Sequence, residues 1–511
     1  MIPLGKRIQA RWAVLFPALA ALVVLPLLAA FAPLFSKAGA LANLGKALAE
    51  PRFMRSFGYG LSQAFASAIL ALAVGLPGAW LLARRRFPGK TLLSALSAVP
   101  FCIPPLIIAI GFALWYGNAG YLNRAFMAIS GSEQGPVRFL YSKAGVIAAH
   151  GFYNFPVVMR MVADALSSVP KDQEDAARTL GASRIRVFST VTLPSIMPAI
   201  GAALSLVFIM CFFSFVIVLL FGPPGMSTPE VELYRAARVD LDKSLAGAYA
   251  LVETAVAVLM LSAYAWLENR SGKQRLVSQS AVSAKRSARA FRNRAEIALA
   301  LFYALVLAIT FLGPLASVVI ESFMVSSRGS GAASVGLGNY TKLFTSQAFW
   351  TSLWNSLWLG LASATIATAM GFSLSLALKR HGNSVWARVL PMLPLAVSGV
   401  ALAWGWSTIL GGASPFAIAI VQAVSAYPFV LRSVQASIGS SDERFAQAAQ
   451  SLGSSRWQTA LRVRLPLAMP ALVSGFAFSF AISAGDANAL IVSPVPGFET
   501  LALRLYRLAG S

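Results

Sequence analysis

The feature that most constrains this chain is a series of apolar stretches, each about as long as a membrane is thick. They lie near residues 12–34, 57–83, 91–116, 144–166, 196–221, 245–267, 296–321, 353–378, 388–411, 413–434 and 470–492. A helix of roughly 20 apolar residues crosses a hydrocarbon core of about 30 Å, and its backbone hydrogen bonds are satisfied internally. Only 12% of the residues are charged, against about 25% in soluble domains. The sequence therefore predicts an all-α, polytopic membrane protein with about eleven spans.

The basic residues fall in short segments between the apolar stretches. The chain has 42 basic and 18 acidic residues, which gives a net charge of +24. Arg84-Arg85-Arg86, Lys379-Arg380 and the basic segment 268–295 all lie on one side if the N-terminus is cytoplasmic. Such clusters are typical of cytoplasmic loops. We therefore expect a cytoplasmic N-terminus and a chain whose partner is the lipid bilayer, not nucleic acid.

The two halves of the chain repeat one another. An offset of 272 residues pairs Gly181 with Gly453, Pro156 with Pro428, and Leu233-Tyr234-Arg235 with Leu505-Tyr506-Arg507. Earlier in each half the offset is 296, as for Gly75 with Gly371 and Arg84 with Arg380. An even number of spans precedes the segment 268–295, so the repeat is parallel, unlike the inverted repeats of many secondary transporters. We predict a first half at 1–267, a cytoplasmic linker at 268–295 and a second half at 296–511.

The second half ends early by this repeat. The Leu233-Tyr234-Arg235 segment is followed by a span near 245–267, whose counterpart would occupy about 517–539. The chain stops at Ser511. The repeat therefore leads us to expect that the second half lacks its last span, and that the sequence is truncated.

Two polar segments of similar pattern follow the fourth span of each half. One runs from Glu174 to Gly181 and on to Leu193-Pro194; the other runs from Gln447 to Gly453 and on to Leu465-Pro466. Thirteen positions separate the glycine from the proline in both. Acidic residues suit a helix start, and glycine suits the left-handed position that ends a helix. A capped helix lying on the membrane would explain one such segment, but the equal spacing of two favours a functional role.

These segments resemble the cytoplasmic "EAA" loop of permease subunits in binding-protein-dependent ABC importers. The first copy has Asp175 in place of the leading glutamate, and the second has Gln447. The resemblance implies two type I importer permease halves in a bacterial cytoplasmic (inner) membrane, an external substrate-binding protein, and two copies of an ATP-binding subunit at the cytoplasmic face. The chain itself would bind no cofactor, and ATP would be used by the partner. The implied coupling residues are Asp175, Ala176, Ala177, Gly181, Leu193, Pro194, Gln447, Ala448, Ala449, Gly453, Leu465 and Pro466.

A narrower resemblance is to fused permeases of the thiamine type. It rests on the segments Arg84–Lys90, Ala149–Pro156 and Met210–Phe215, on Ser483 with Gly485-Asp486, and on Leu505-Tyr506-Arg507. The resemblance implies thiamine or its phosphates as substrate. Fused iron(III) permeases share this architecture, so iron(III) stays open as the alternative substrate.

The sequence shows no catalytic centre. Gly89-Lys90-Thr91 imitates the end of a phosphate-binding loop, but Arg84 stands at the earlier glycine position. No cluster of His, Cys, Asp or Glu has metal-site spacing, so we predict neither a metal site nor an enzyme. Polar or aromatic residues inside apolar stretches are candidates for lining the substrate path, although helix packing also explains several of them. The candidates are His150, Phe213, Ser214 and Asp486. A secondary transporter is the remaining rival, and the inverted repeats and broken helices that would mark it are not expected from the sequence.

Overall fold

The computed structural model describes residues 21–35, 40–96, 103–280, 290–291, 294–326, 333–381, 390–412, 414–437 and 440–509. These residues are mainly helical, as predicted. One short antiparallel pair of strands, β1 (Met324–Ser326) and β2 (Ala333–Val335), places Met324 opposite Val335 and was not predicted.

The first half consists of helices of very different length. In chain order they are α1 (Ala21–Phe35), α2 (Ala40–Ala49), α3 (Pro51–Arg84), α4 (Lys90–Ala95), α5 (Pro105–Tyr116), α6 (Tyr121–Ser130), α7 (Lys143–Ser168), α8 (Lys171–Thr179), α9 (Arg184–Val187), α10 (Leu193–Phe212), α11 (Val216–Phe221), α12 (Pro229–Arg238) and α13 (Lys243–Ser280).

The second half follows the same order with fewer elements. Its helices are α14 (Arg294–Leu307), α15 (Gly313–Ser322), α16 (Gly338–Thr345), α17 (Gln347–His381), α18 (Gly399–Ile409), α19 (Pro415–Ser437), α20 (Ser440–Ser451), α21 (Arg456–Thr459), α22 (Leu465–Gly485), α23 (Asn488–Val492) and α24 (Leu501–Ala509), with a 3₁₀-helix at Leu390–Ala396.

Nine helical stretches of the described chain are long and apolar enough to cross a membrane, and Ala21–Phe35 is a shorter apolar helix. The described part of every predicted apolar stretch contains helix, which confirms the all-α polytopic prediction. The predicted span at 91–116 is formed by α4 and α5, with residues 97–102 outside the described chain. The predicted span at 388–411 is likewise divided between the 3₁₀-helix and α18. Prolines account for helix limits here: Pro105 opens α5 behind Pro104, and Pro394 lies in the 3₁₀-helix.

Three single turns have π-helical geometry and share a cause. They are Phe188–Thr192, Ala308–Leu312 and Ala460–Arg464, and each leads into a dipeptide that ends in proline: Leu193-Pro194, Gly313-Pro314 and Leu465-Pro466. In each case the residue before the proline donates its N–H to the carbonyl five positions back. Proline has no N–H to donate, and its ring crowds the carbonyl four residues before it. The wider turn accommodates both restrictions.

The long helices pack in the same way in the two halves. Helices α3, α7 and α10 contact one another, and so do their counterparts α17, α19 and α22. A Cβ added to Gly75 would lie 2.9 Å from the Phe155 carbonyl oxygen, and one added to Gly371 would lie 2.9 Å from the Leu431 nitrogen. Glycine at these equivalent positions lets two backbones approach closely. The repeat found in the sequence is therefore a repeat of packing.

The compact units of the structure do not coincide with the sequence halves. One unit contains the described residues of Met1–Ala47, Leu233–Thr254 and Gln347–Ser511, and the other contains Leu48–Glu232 and Ala255–Ser346. In the unit that contains Leu48–Glu232, the Tyr303 hydroxyl of α14 donates to the Val74 carbonyl at 2.9 Å. In the same unit the Ser317 hydroxyl of α15 donates to the Gly111 carbonyl at 3.2 Å. The first helix of each half thus packs in the unit built mainly on the other half.

The segment predicted as a linker, 268–295, is helical over part of its length. Helix α13 begins at Lys243 and continues to Ser280, and α14 begins at Arg294. Residues 281–289 and 292–293 lie outside the described chain. The part of the segment up to Ser280 is therefore a helical extension of the preceding span.

Candidate functional site

The first EAA-like segment folds as a helix, a glycine turn and a second short helix. Helix α8 ends at Thr179, and Gly181 has φ +83°. The Gly181 N–H donates to the Arg178 carbonyl at 2.9 Å, and the Ala182 N–H donates to the Ala177 carbonyl at 3.0 Å. The Ser183 hydroxyl then caps α9 by accepting from the Arg186 N–H at 3.3 Å. The left-handed glycine and the serine cap are those expected from the sequence.

The second segment repeats this geometry position by position. Gly453 has φ +86°, and its N–H donates to the Gln450 carbonyl at 3.0 Å. The Ser455 hydroxyl accepts from the Gln458 N–H at 3.2 Å, while the Gln458 side-chain oxygen accepts from the Ser455 N–H at 2.9 Å. This reciprocal pair is a capping box. The two segments therefore present equivalent surfaces in the two halves.

Large apolar side chains are exposed at the turn of each segment. Leu180 and its counterpart Leu452 are each 88% exposed, Ile185 is 82% exposed and its counterpart Trp457 is 70% exposed. In the first segment these side chains stand beside a helix with a mostly polar sequence, Lys171–Thr179. Leucine exposed at such positions, outside the apolar spans, is typical of a surface that another protein covers.

The Leu-Pro dipeptides have a local structural role. Leu193-Pro194 and Leu465-Pro466 each follow a π-helical turn and open the next long helix, α10 or α22. They join the glycine turns to the spans at a fixed distance. Their assignment to coupling stays a prediction, as does that of the alanines at 176, 177, 448 and 449.

The charged residues of the first segment differ sharply in exposure. Asp175, which stands where the family motif has glutamate, is half-exposed and pairs with Arg178 at 2.8 Å and Lys171 at 3.7 Å. Glu174 is buried; it accepts from Arg84 at 2.7 Å and from the Thr192 hydroxyl at 3.0 Å. Sequence reasoning considered Glu174 only as a helix-start charge. Its counterpart in the second copy is Ala446, and this apolar residue was the sign in the sequence that the position faces inward. In the structure Ala446 is buried as well.

Among the path candidates, His150 and Ser214 lie together at a break in a helix. Helix α10 ends at Phe212, and α11 begins at Val216. His150 is buried; its Nε2 is 2.6 Å from the Ser214 hydroxyl and its Nδ1 is 2.9 Å from the side-chain oxygen of Gln63. The Gln63 amide donates to the Cys211 carbonyl at 2.9 Å, which satisfies the last turn of α10. Phe213, half-buried, contacts Phe212 with ring centres 5.6 Å apart.

Asp486 lies at the equivalent break of the second half. Helix α22 ends at Gly485, and α23 begins at Asn488. One Asp486 oxygen accepts from the Asn488 N–H at 3.0 Å, and the other is 3.4 Å from the Gln422 amide nitrogen. The Ser363 hydroxyl donates to the Gln422 oxygen at 3.2 Å. By the offset of 272, Gln422 corresponds to His150 and Asp486 to Ser214.

One expectation changes at these breaks, and two residues of the site were missed. The sequence led us to expect no broken helices, and that expectation is wrong. The apolar runs 196–221 and 470–492 continue through the breaks, so hydropathy does not reveal where the helices end. Gln63 and Gln422, which hold the path candidates in place, were also missed, because their partners are distant in the sequence. Interrupted backbone of this kind occurs in membrane proteins where it is buried in protein or lines a cavity.

Comparison with known proteins agrees with the repeated permease architecture. Residues 75–273 and 384–492 match the family described as "binding-protein-dependent transport system inner membrane component". The thiamine transport system permease proteins ThiP of Salmonella typhimurium and Escherichia coli are each 27% identical over 88% of this chain and 82% of their own length. A putative 2-aminoethylphosphonate transport system permease protein, PhnU of Salmonella typhi, is 33% identical over 43% of this chain and 76% of its own.

Among solved structures, a bacterial ABC transporter involved in the import of the acidic polysaccharide alginate matches with a TM-score of 0.42 and 16% identity, over 52% of this chain and 96% of that one. The assignment does not depend on that match. The family matches cover more than half of the chain and include both EAA-like segments. Together with the apolar helices, they identify a multi-pass protein of the inner membrane. This chain belongs to the family of binding-protein-dependent transport system inner membrane components, the permeases of ABC importers.

Proposed function

We propose that this permease carries thiamine or its phosphates from an external binding protein to the cytoplasm, driven by ATP hydrolysis in a separate subunit. The observation that carries the substrate is the similarity to thiamine permeases, which extends over 88% of the chain and therefore over both halves. A match of one half alone would support only the general architecture. The thiamine-like segments of the sequence also support thiamine as the substrate.

The two EAA-like segments are the proposed docking sites for two ATP-binding subunits. Each ends in a glycine turn that holds an exposed leucine, Leu180 or Leu452, at the same place. Equivalent surfaces suit two copies of one partner. ATP binding and hydrolysis in those copies would move the segments and, through the Leu-Pro dipeptides, the long helices α10 and α22.

The proposed orientation has the N-terminus in the cytoplasm. Arg84, in the basic cluster at the end of α3, contacts Glu174 in the first EAA-like segment. The basic cluster and the proposed docking site therefore lie on the same side of the membrane, which agrees with the charge pattern of cytoplasmic loops.

The polar helix breaks are the proposed points of substrate contact in each half. Thiamine carries a cationic ring, which suits a carboxylate or an aromatic face. Asp486 supplies a half-buried carboxylate at one break, and Phe213 supplies a half-buried ring beside His150 and Ser214 at the other. The phosphonate permease PhnU matches part of the chain at 33% identity, so 2-aminoethylphosphonate is a competing candidate of different chemistry.

The test is uptake by the complete transporter in vesicles, with its binding protein outside and ATP inside. We expect unlabelled thiamine and its phosphates to compete with labelled thiamine, and iron(III) and 2-aminoethylphosphonate to compete far less. Asp486→Asn should lower thiamine uptake about tenfold, the effect of losing one charge-assisted contact. Glu133→Gln, which changes an exposed carboxylate outside the breaks, is the matched control.

The outcomes separate the rivals. Stronger competition by iron(III) or by the phosphonate would replace thiamine as the substrate. Uptake that continues without ATP and follows an ion gradient would indicate a secondary transporter and contradict the proposal as a whole.

A further inference from the structure

The end of helix α3 carries adjacent arginines that contact acidic residues on two different elements. Arg84 contacts Glu174 of α8 at 2.7 Å. Arg85 contacts Glu296 of α14 through two hydrogen bonds, Nε to Oε2 at 3.1 Å and Nη2 to Oε1 at 2.8 Å. The Arg85 guanidinium also lies 4.7 Å from the centre of the Trp80 ring. One helix end is thus tied to the first EAA-like segment and to the first helix of the second half.

The arm made by Arg84 is the more buried of the two. The side chains of Arg84 and Glu174 are 9% and 4% exposed. The oxygen of Glu174 that accepts from Arg84 also accepts from Thr192, in the π-helical turn before α10. Glu174 therefore joins α8 to the end of α3 and to the beginning of α10. Glu174 also lies 3.6 Å from Arg178, which is half-exposed, so Arg84 is its buried charged partner. Removing one member of a buried ion pair is strongly destabilising.

The second half has a different contact at the position of Glu174. Its counterpart Ala446 is buried at 2% exposure and offers only an apolar methyl group. The counterpart of Thr192 is Arg464. At this position a carboxylate in the first segment is replaced by a methyl group in the second. The two segments therefore share a backbone geometry and differ in chemistry at this position.

We propose that Arg84 and Arg85 form a two-armed clamp that makes the first EAA-like segment, α3, α10 and α14 move together. Arg84, Glu174 and Thr192 are positioning residues in this proposal: they hold the segment against the spans and do not themselves touch the ATP-binding subunit. Arg85 and Glu296 extend the clamp to the second half. The inference rests on the proposed docking role of the segment and adds how its movement reaches the helices.

The experiment is a double-substitution cycle in the complete transporter, read as substrate molecules taken up per ATP hydrolysed. Glu174→Gln keeps the side-chain shape and removes the charge, and Arg84→Gln removes the charge and leaves a shorter polar side chain. We expect each to lower this ratio about tenfold, with the ATP-binding subunit still bound. The double variant should be no worse than Glu174→Gln alone, because that variant has already lost the ion pair that Arg84→Gln removes. Arg85→Gln and Glu296→Gln should behave in the same way.

The matched control is the exposed pair Arg160 and Asp164, which are 3.2 Å apart. Arg160→Gln and Asp164→Asn should leave the ratio unchanged, because exposed ion pairs contribute little. The ratio is independent of the amount of folded protein, so a purely structural role would lower the yield without changing it. Thr192→Val, which removes only a hydroxyl donor, provides a milder variant and should lower the ratio about threefold.

Two results would overturn the clamp: an unchanged ratio in the single variants, or independent effects that simply add in the double variant. Failure of the docking proposal looks different. Leu180→Asp and Leu452→Asp would then leave the ATP-binding subunit bound and its activity unchanged.

Discussion

Gly181 and Gly453 are glycines for a conformational reason alone. Both have positive φ, and a Cβ built on either would meet nothing within 4 Å. The space around both glycines is open, so a side chain would fit there. Other residues are disfavoured because the backbone is left-handed at these positions. The sequence predicted these turns because the reason is local.

We expect Gly181→Val and Gly453→Val to impair coupling without preventing membrane insertion. A β-branched residue held at positive φ costs about 1–2 kcal/mol at each site. The segments should relax toward another backbone conformation and displace the exposed leucines. Uptake should fall, and ATP hydrolysis should no longer respond to substrate; both are measured in reconstituted vesicles. Gly131, which also has positive φ and open space but lies outside the segments, is the control. Normal uptake in the double variant would contradict the coupling assignment.

Other residues of the candidate site could not be predicted, because their roles depend on partners far away in the chain. Glu174 is buried together with its charged partner Arg84, which lies ninety positions earlier. Gln422 was overlooked, and its partner Asp486 is 64 positions later. A local pattern indicates which residues begin or cap a helix, but it does not indicate which helix lies opposite.

At the scale of elements, the contact between α3 and α7 is repeated as the contact between α17 and α19. A Cβ on Gly75 would lie 3.1 Å from the Met159 nitrogen, and one on Gly371 would lie 2.9 Å from the Leu431 nitrogen. Met159 and Leu431 are themselves related by the offset of 272. These glycines, unlike those of the turns, are required by close packing.

We expect Gly75→Val to destabilise the folded protein by about 1–3 kcal/mol, because the added methyl groups force two closely packed helices apart. Gly371→Val should have a similar effect. The control is Gly58→Val in the same helix α3, where a Cβ meets nothing within 4 Å. Thermal unfolding in detergent gives the comparison. An equal shift of the unfolding temperature for Gly58→Val and Gly75→Val would show that helix propensity, not packing, is the cause.

Prediction of elements from the sequence succeeded where apolar length decides and failed where the backbone changes course inside an apolar run. The run 196–221 stays apolar through the break after Phe212, so hydropathy gives no sign of it. The π-helical turns before Pro194 and Pro466 were also missed. Helix α13 continues to Ser280 because a polar sequence does not by itself end a helix.

At the scale of the molecule, each compact unit needs segments from both sequence halves. The described part of Met1–Ala47 packs with Gln347–Ser511, and Ala255–Ser346 packs with Leu48–Glu232. The internal repeat predicted two related halves, but not this exchange of helices. Periodicity indicates which residues share a face of a helix and leaves open which neighbour that face meets.

We therefore expect neither half to be stable alone. Fragments 1–280 and 281–511, expressed separately, should each leave apolar and polar faces without their partners and be degraded. Expressed together, they should associate and copurify. Size-exclusion chromatography and resistance to protease measure both expectations, with the uncut chain as reference. A single fragment that is as monodisperse and protease-resistant as the whole chain would contradict this expectation.

Glu174 and Ala446 are buried at equivalent positions of the two halves and differ in chemistry, and this difference has a consequence for fused permeases. When a permease is assembled from two copies of one gene product, every mutation occurs at both places, so neither copy can specialise. Fusion removes that restriction. In one fused chain, His150 can differ from Gln422, and Ser214 from Asp486, without any change in the other half. The order of the helices is thus kept in both halves, while the side chains at equivalent positions differ. Each half of a fused permease can therefore acquire a side-chain chemistry of its own.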